Sequence, residues 1–220
     1  MTRGRVLSVN LAVPEYSTAK SVGLTGINKR PVDHPVVVRA PGPRTTGLHS
    51  GLVGDKIFDV AHHGGDDQAV YAYAREDYDW WQEQLERELP GGLFGENLTT
   101  VGVDVNGALI GERWRIGPDL ILSPTFGRIP CATFQAKMDV PRWVKRFTAA
   151  NRTGAYLRVV EPGEVKAGDP VEVVDRPAHR MTIARAFRAY LIEPSLLPEL
   201  LEVDDLPDGV RASARQRMSR

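Results

Sequence analysis

Cysteine is almost absent from this 220-residue chain: Cys131 stands alone, so no intramolecular disulfide can close and the chain's own thiolates cannot hold an iron-sulfur cluster. A leftover thiol suits a reducing compartment, and a cytoplasmic protein is expected. Net charge is absent as well. Twenty-eight Lys and Arg balance 28 Asp and Glu, which leaves no global field to attract a nucleic acid polymer or an anionic membrane. No apolar run approaches the length that spans a bilayer, and no solenoid-length repeat is visible. The opening MTRGRVLSVNLAV sets basic residues before an apolar run, but that run contains Ser8 and Asn10 and lacks a small-residue cleavage site. It reads as a first strand rather than a signal peptide.

What is present is an ordinary globular composition, 42% hydrophobic and 25% charged, enough for one principal domain with a small appendage. RVLSVNLAV, PVVVRA, DKIFDVAHH, QAVYAYA, ENLTTVG, DLILSP, AYLRVV and PVEVVD are short, rich in β-branched or aromatic residues, and bounded by Gly, Pro, Asn or Asp. They predict a mainly β fold, a closed or nearly closed barrel. REDYDWWQEQLERELPGG predicts an inserted helix with Trp81, Leu85 and Leu89 on one face, stopped at Pro90-Gly91-Gly92. DVPRWVKRFTAA predicts a second helix, with Trp143 and Phe147 facing the core. Beyond Asp175 the composition shifts, and Ile183, Phe187 and Leu191 at four-residue spacing predict a separate helical extension. The chain thus divides into a barrel over 1–175 and an extension over 176–220, whose last ten residues, RASARQRMSR, read as a frayed, solvated tail.

Three stretches offer chemistry. In FGRIPCATF, Pro130 makes Ile129 extended, so Cys131 follows a rigid kink at a strand end. Arg128 can lower its pKa from about 8.5 toward a reactive thiolate; the plainer alternative is a buried packing residue. In HHGGDDQAVYAY, adjacent residues of a strand point to opposite faces, so His62 and His63 do not readily ligate one zinc ion. Gly64 and Gly65 mark a tight turn or a close backbone approach to a ligand. In GLFGENLTTVG, Asn97 caps a turn or contacts a ligand, and Glu96 is solvated or paired with an arginine.

Taken in order, GINKRPV, GLVGDKIFDVAHHGGDDQAVYAY, GLFGENLTT, ALIGERWRIG, RIPCATF and GAYLRVVEPGEVKAGDPVEVV resemble the MOSC domain, named for the C-terminal domain of molybdenum-cofactor sulfurase. The extension resembles that of the stand-alone bacterial subgroup containing the 6-hydroxylaminopurine resistance protein. The resemblance implies a MOSC-type β-barrel with inserted helices, and a cysteine that ligates molybdenum in a pterin cofactor or carries sulfur as a persulfide. Cys131 stands at that position. Family members read Pro-Arg or a similar pair before the Pro-Cys motif; here Phe126-Gly127-Arg128 keeps the arginine. A molybdopterin needs cationic side chains, backbone donors and a soft thiolate. Lys29, Arg30, His63, Gly64, Gly65, Asn97, Arg128, Lys145 and Arg146 are the candidate contacts, with Cys131 as catalytic residue and metal ligand. The expected activity is reduction of a small-molecule N-hydroxylated compound, such as a hydroxylamino-purine. Without a flavin motif or cluster cysteines, electrons would come from a separate flavin or iron-sulfur protein. The alternative is a sulfur or cofactor carrier using a Cys131 persulfide. No pyridoxal phosphate domain of the sulfurase kind accompanies the motif.

Overall fold

A computed structural model describes residues 4–19 and 23–219; the first three residues of the basic start and Arg220 of the arginine-rich tail lie outside them. The chain opens with β1 (Arg5–Ala12), the short pair β2 (Glu15–Tyr16) and β3 (Leu24–Thr25), then β4 (Lys29–Val32) and β5 (Val36–Val38). After a long irregular stretch come β6 (Val70–Ala74), α1 (Arg75–Leu85), β7 (Leu98–Val101), β8 (Arg113–Ile116) and β9 (Leu120–Phe126). Two helices, α2 (Ala132–Met138) and α3 (Trp143–Ala150), precede β10 (Ala155–Glu161), β11 (Gly163–Val165) and β12 (Val171–Asp175). The helices α4 (Ile183–Leu191), α5 (Leu197–Leu201) and α6 (Asp208–Met218) follow.

Eight strands form one mixed sheet in the order β12-β8-β9-β10-β6-β7-β1-β4. Its one parallel pair, β6 with β7, is the pair joined through α1, the kind of crossover a parallel connection requires. β6, VYAYA, is buried at every position, as expected of a strand covered on both faces. The expected closed barrel is not formed by the ladders: the sheet ends at β12 and β4. The first residues of β1 do meet the approach to β12 through an isolated bridge, Arg5 with Pro170, and through bonds such as Val6 N–H to the Asp169 carbonyl. The Gly168 and Val171 amides likewise donate to the Val6 and Gly4 carbonyls, but the contact stays an isolated bridge and does not extend into a ladder.

Other expectations also shift. The stretch 55–63 is turn and bend, not strand, because the Asp55 carboxylate accepts bonds from the Ala12 amide and the Lys29, Ser50 and Asn97 side chains and pins the chain there. Helix α1 ends at Leu85, where Glu86 turns left-handed with φ 52°; Leu89 still reaches the core, from a loop held by its amide to Gln82. Trp81, Trp143 and Phe147 are core residues, joined by Phe94, Phe134 and Tyr78 in an aromatic cluster between α1, α2 and α3. The tail is not frayed over the described residues. It belongs to α6, with Ala214 buried and Arg211 donating to the Leu201 and Val203 carbonyls.

Composition separates residues beyond 175 from the strands, but packing does not. Met181, Ile183, Phe187, Tyr190, Leu197 and Leu206 share one core cluster with Trp114, Leu122 and Phe126. Phe187, with no exposed surface, tests this directly. Replacing it by Ala is expected to lower the unfolding free energy by about 3–5 kcal/mol in urea titration, whereas an extension that merely leans on the sheet would lose far less.

Candidate functional site

Strand β9 delivers the site. Its last residue, Phe126, is followed by Gly127, whose lack of a side chain is required: a Cβ there would lie 2.5 Å from Thr153 Oγ1. Arg128 comes next and turns inward. It is 6% exposed, its Nη1 donates to the Phe94 carbonyl at 2.8 Å, and its guanidinium lies 4.4 Å from the Phe134 ring centroid and 5.2 Å from that of Tyr71. Gly95, at φ 78°, leaves the room, since a Cβ would stand 3.2 Å from Nη1. The Nε of Arg128 is buried without a hydrogen-bond partner.

Three residues on, Cys131 takes an extended conformation immediately before α2 and is half-buried. Burial pushes its thiol up, but a hydrogen bond from His63, the Arg128 charge and the Phe134 amide outweigh that and bring the pKa from 9.0 to about 6. The protein therefore holds a thiolate at neutral pH. A helix directly after the cysteine was not expected. The signal was present in Phe134 and Met138, four residues apart and both fully buried.

His63 reaches Cys131 because of the turn before it. The His62 and His63 amides both donate to the Asp59 carbonyl, and the Asp59 carboxylate holds His62 Nδ1 at 2.9 Å on the outside. The two histidines diverge as expected, through a turn rather than a strand. Among the described residues no group of three or more His, Cys, Asp or Glu is placed to hold a metal ion.

Cys131, Arg128, His63, Gly64, Lys29 and Asn97 line one cavity of about 100 Å³, walled by apolar Leu24, Ile27, Ile57 and Phe58 and by Tyr71 and Tyr156. That is room for a few waters or one end of a longer ligand. Lys29 does not bring a free charge, because Asp55 sits 2.5 Å from its Nζ with both side chains buried. Burial pushes the Asp55 carboxyl up; Lys29, Ser50 and Asn97 outweigh it and hold the group below its ordinary value. Asp55 escaped the sequence reading, where it looks like any acid after a glycine. Asn97 spans the network, accepting from the Tyr71 amide on Oδ1 and donating to Asp55 from Nδ2. Burial holds the Tyr156 phenol up against the opposing pull of Arg128, so it stays protonated.

The remaining candidates are elsewhere. Arg30 is exposed on the opposite face of β4 from Lys29. Lys145 and Arg146 are exposed on α3, where Arg146 reaches the Gln84 carbonyl. Gly65 packs on the Arg44 backbone, and a Cβ there would come within 2.8 Å of it. Neither glycine amide is free to cradle an anion, since Gly64 donates to Gln68 Oε1 and Gly65 to the His49 carbonyl. Glu96 is neither solvated nor paired with an arginine: it is fully buried, with the Gly92 amide, Thr99 and Tyr78 donating to it.

With this geometry in view, comparison with known proteins is informative. The Bacillus subtilis protein YflK, itself uncharacterized, is 33% identical over 189 residues, covering 84% of this chain and 80% of that protein. A protein named reductase from Gibberella moniliformis is 28% identical over 160 residues, 70% of this chain but only 28% of the longer fungal protein. Among solved structures, YiiM from Geobacillus stearothermophilus superposes with a TM-score of 0.77 at 24% identity, covering 98% of this chain and 99% of that one; this likeness speaks to the fold. The MOSC domain model matches residues 59–172, the span that carries His63, Asn97, Arg128 and Cys131, and on these grounds the chain belongs to the MOSC domain family.

Proposed function

We propose that this protein binds a molybdenum-pterin cofactor with Cys131 as the sulfur ligand and reduces N-hydroxylated small molecules, with electrons supplied by a separate flavin or iron-sulfur protein. One observation carries the reading: Cys131 is kept as a thiolate by His63 and Arg128 at the edge of a cavity. A thiolate is the donor that a soft metal selects. The donor set would suit such a group: Cys131 would hold the metal, Arg128 would hold an anionic oxygen of the group, and Leu24, Ile27, Ile57 and Phe58 would line its apolar side. When bound, the cofactor supplies a centre that accepts and passes on two electrons. The protein's own residues hold Cys131 ionised, orient it by the kink at Pro130 and the start of α2, and keep the Tyr156 phenol protonated beside it. Arg30, Lys145 and Arg146 lie away from the cavity and have no part in this reading. The fungal relative that bears the name reductase supports the reaction class.

Protein made in a host that synthesises the cofactor should contain molybdenum and pterin, and should reduce a hydroxylamino-purine when given a competent donor. Cys131→Ser exchanges a soft sulfur for a hydroxyl that stays protonated. It should lose molybdenum and turnover while circular dichroism and melting temperature stay near the wild type. Retention of both metal and activity would remove Cys131 from the chemistry. Loaded wild type that turns over no N-hydroxylated compound, yet yields a transferable persulfide on Cys131, would make the protein a sulfur carrier.

The ionisation itself can be measured. Because the folded pKa lies below the ordinary thiol value, the thiolate fraction rises through pH 6, and alkylation by iodoacetamide should climb there and level off well below pH 9. The linked stability is fully present above pH 9 and is lost as the pH falls through 6. His63→Ala should shift the alkylation midpoint upward; a midpoint that stays at the ordinary thiol value in the wild type would contradict the site's electrostatics.

A further inference from the structure

We propose that Tyr156 delivers a proton from its phenol oxygen, Oη, to the oxygen that leaves when an N–O bond is reduced in the cavity. The inference rests on the reductase reading above and adds to it a residue that moves a proton.

Tyr156 is placed by its strands. In β10 it stands opposite Phe126 of β9 and Tyr71 of β6. Cross-strand partners share one face of a sheet, and its ring lies 5.1 Å from that of Tyr71. With Cys131 it packs at the edge of the aromatic cluster, and with Cys131 and Arg128 it lines the cavity. Other phenols of this region are committed: Tyr71 donates to the Thr153 carbonyl, Tyr73 to the Arg152 carbonyl and Tyr78 to Glu96. Among the described residues the Tyr156 hydroxyl has no hydrogen-bond partner and, unlike Arg128 Nε, it is not sealed within the fold. A half-buried phenol in that position keeps a free donor.

Reduction of R–NH–OH to R–NH2 and water takes two electrons and two protons. The electrons come from the flavin or iron-sulfur donor protein, which is oxidised as the nitrogen is reduced. The N–O bond breaks, and its oxygen departs as water once a proton reaches it. Solvent supplies the second proton to nitrogen and returns one to the tyrosinate. Other groups lining the cavity are unsuited to give the first proton. Cys131 is ionised and His63 is engaged with its sulfur, a guanidinium does not release its proton, and Lys29 is held by Asp55. Lys56 is exposed, and the Tyr71 hydroxyl is bound to Thr153. Burial holds the Tyr156 phenol above its ordinary value, while the Arg128 charge pulls the other way. A phenol, ordinarily at about 10, is a far stronger acid than water at about 15.7, so its proton passes readily to a departing hydroxide. The tyrosinate then has the Arg128 charge to favour it.

The test compares Tyr156→Phe with wild type, both made in a host that synthesises the cofactor, on a hydroxylamino-purine and on its O-acetyl ester. A carboxylate, whose acid has a pKa of about 4, leaves without a proton; hydroxide does not. The variant should carry molybdenum and pterin as the wild type does, and should melt near it because the lost hydroxyl bonds to nothing in the fold. Its kcat on the N–OH compound should fall about 100-fold or more with KM little changed, and on the ester less than about threefold, since general acid catalysis serves only the first. In cofactor-free protein the alkylation midpoint of Cys131 should stay at about 6, because His63, Arg128 and the Phe134 amide set it. Equal losses on the two compounds would make Tyr156 a binding residue. A shifted midpoint, a lowered melting temperature or lost cofactor would make it a structural one. Either result overturns the proposal, as does full activity of the variant on the N–OH compound, and each leaves the reductase reading standing. Loaded wild type that reduces neither compound fails that reading, and this inference falls with it.

Discussion

The hydrogen bond from Arg128 to the Phe94 carbonyl joins the end of β9 to the loop that leads into β7. That loop is itself held by Glu96, which gathers the Gly92 amide, the Thr99 hydroxyl and the Tyr78 phenol in a space without solvent. Burial pushes the Glu96 carboxyl up, and those donors pull against it. A buried network of this sort is stabilising only when every member is satisfied. Here its product is positional: Phe94 stands where its carbonyl orients a guanidinium, and its ring packs against Phe134. Through Arg128 the network also acts on Cys131, whose ionised form the guanidinium favours.

The aromatic cluster completes this arrangement from the other side. Trp81, Trp143 and Phe147 lock α1 and α3 together, and Phe134 and Met138 seat α2 against them. Cys131 packs at the edge of this cluster, so the first residues of α2 cannot drift without opening the core. Interiors packed to this degree transmit displacement rather than absorb it. A thiolate positioned in this way is held by the fold and not by a flexible loop, which is the condition for a preorganised ligand.

Much of this was legible in the sequence, and the limits have physical causes. The strands were found by their β-branched and aromatic content and the turn residues that bound them, and Trp81, Trp143 and Phe147 by their helical spacing. Cys131 stood out by being alone. Two available signals went unused: period-two alternation in β4 already puts Lys29 and Arg30 on opposite faces, and the helical spacing of Trp143 and Phe147 turns Lys145 and Arg146 outward. Asp55 and the burial of Glu96 had no local signature, because each is defined by partners far along the chain, Lys29, Asn97 and Tyr78 among them. The closed barrel was overestimated because strand content does not reveal where a ladder stops, and β1 meets the approach to β12 only through an isolated bridge. The unity of the C-terminal helices with the sheet was hidden for a similar reason: composition reports solvent preference, while the core around Phe187 is made of contacts from both parts.

The charges around the cavity narrow what it can hold. Lys29 and Asp55 cancel each other, Glu96 is consumed by its own donors, and Asp59 is turned outward to His62. The other polar groups that line the cavity include a thiolate, its histidine partner, Arg128, the exposed Lys56 and the protonated phenols of Tyr71 and Tyr156. Calcium and magnesium require several oxygen ligands with carboxylates among them, and a structural zinc requires three or four converging donors. Among the described residues neither set exists in this cavity.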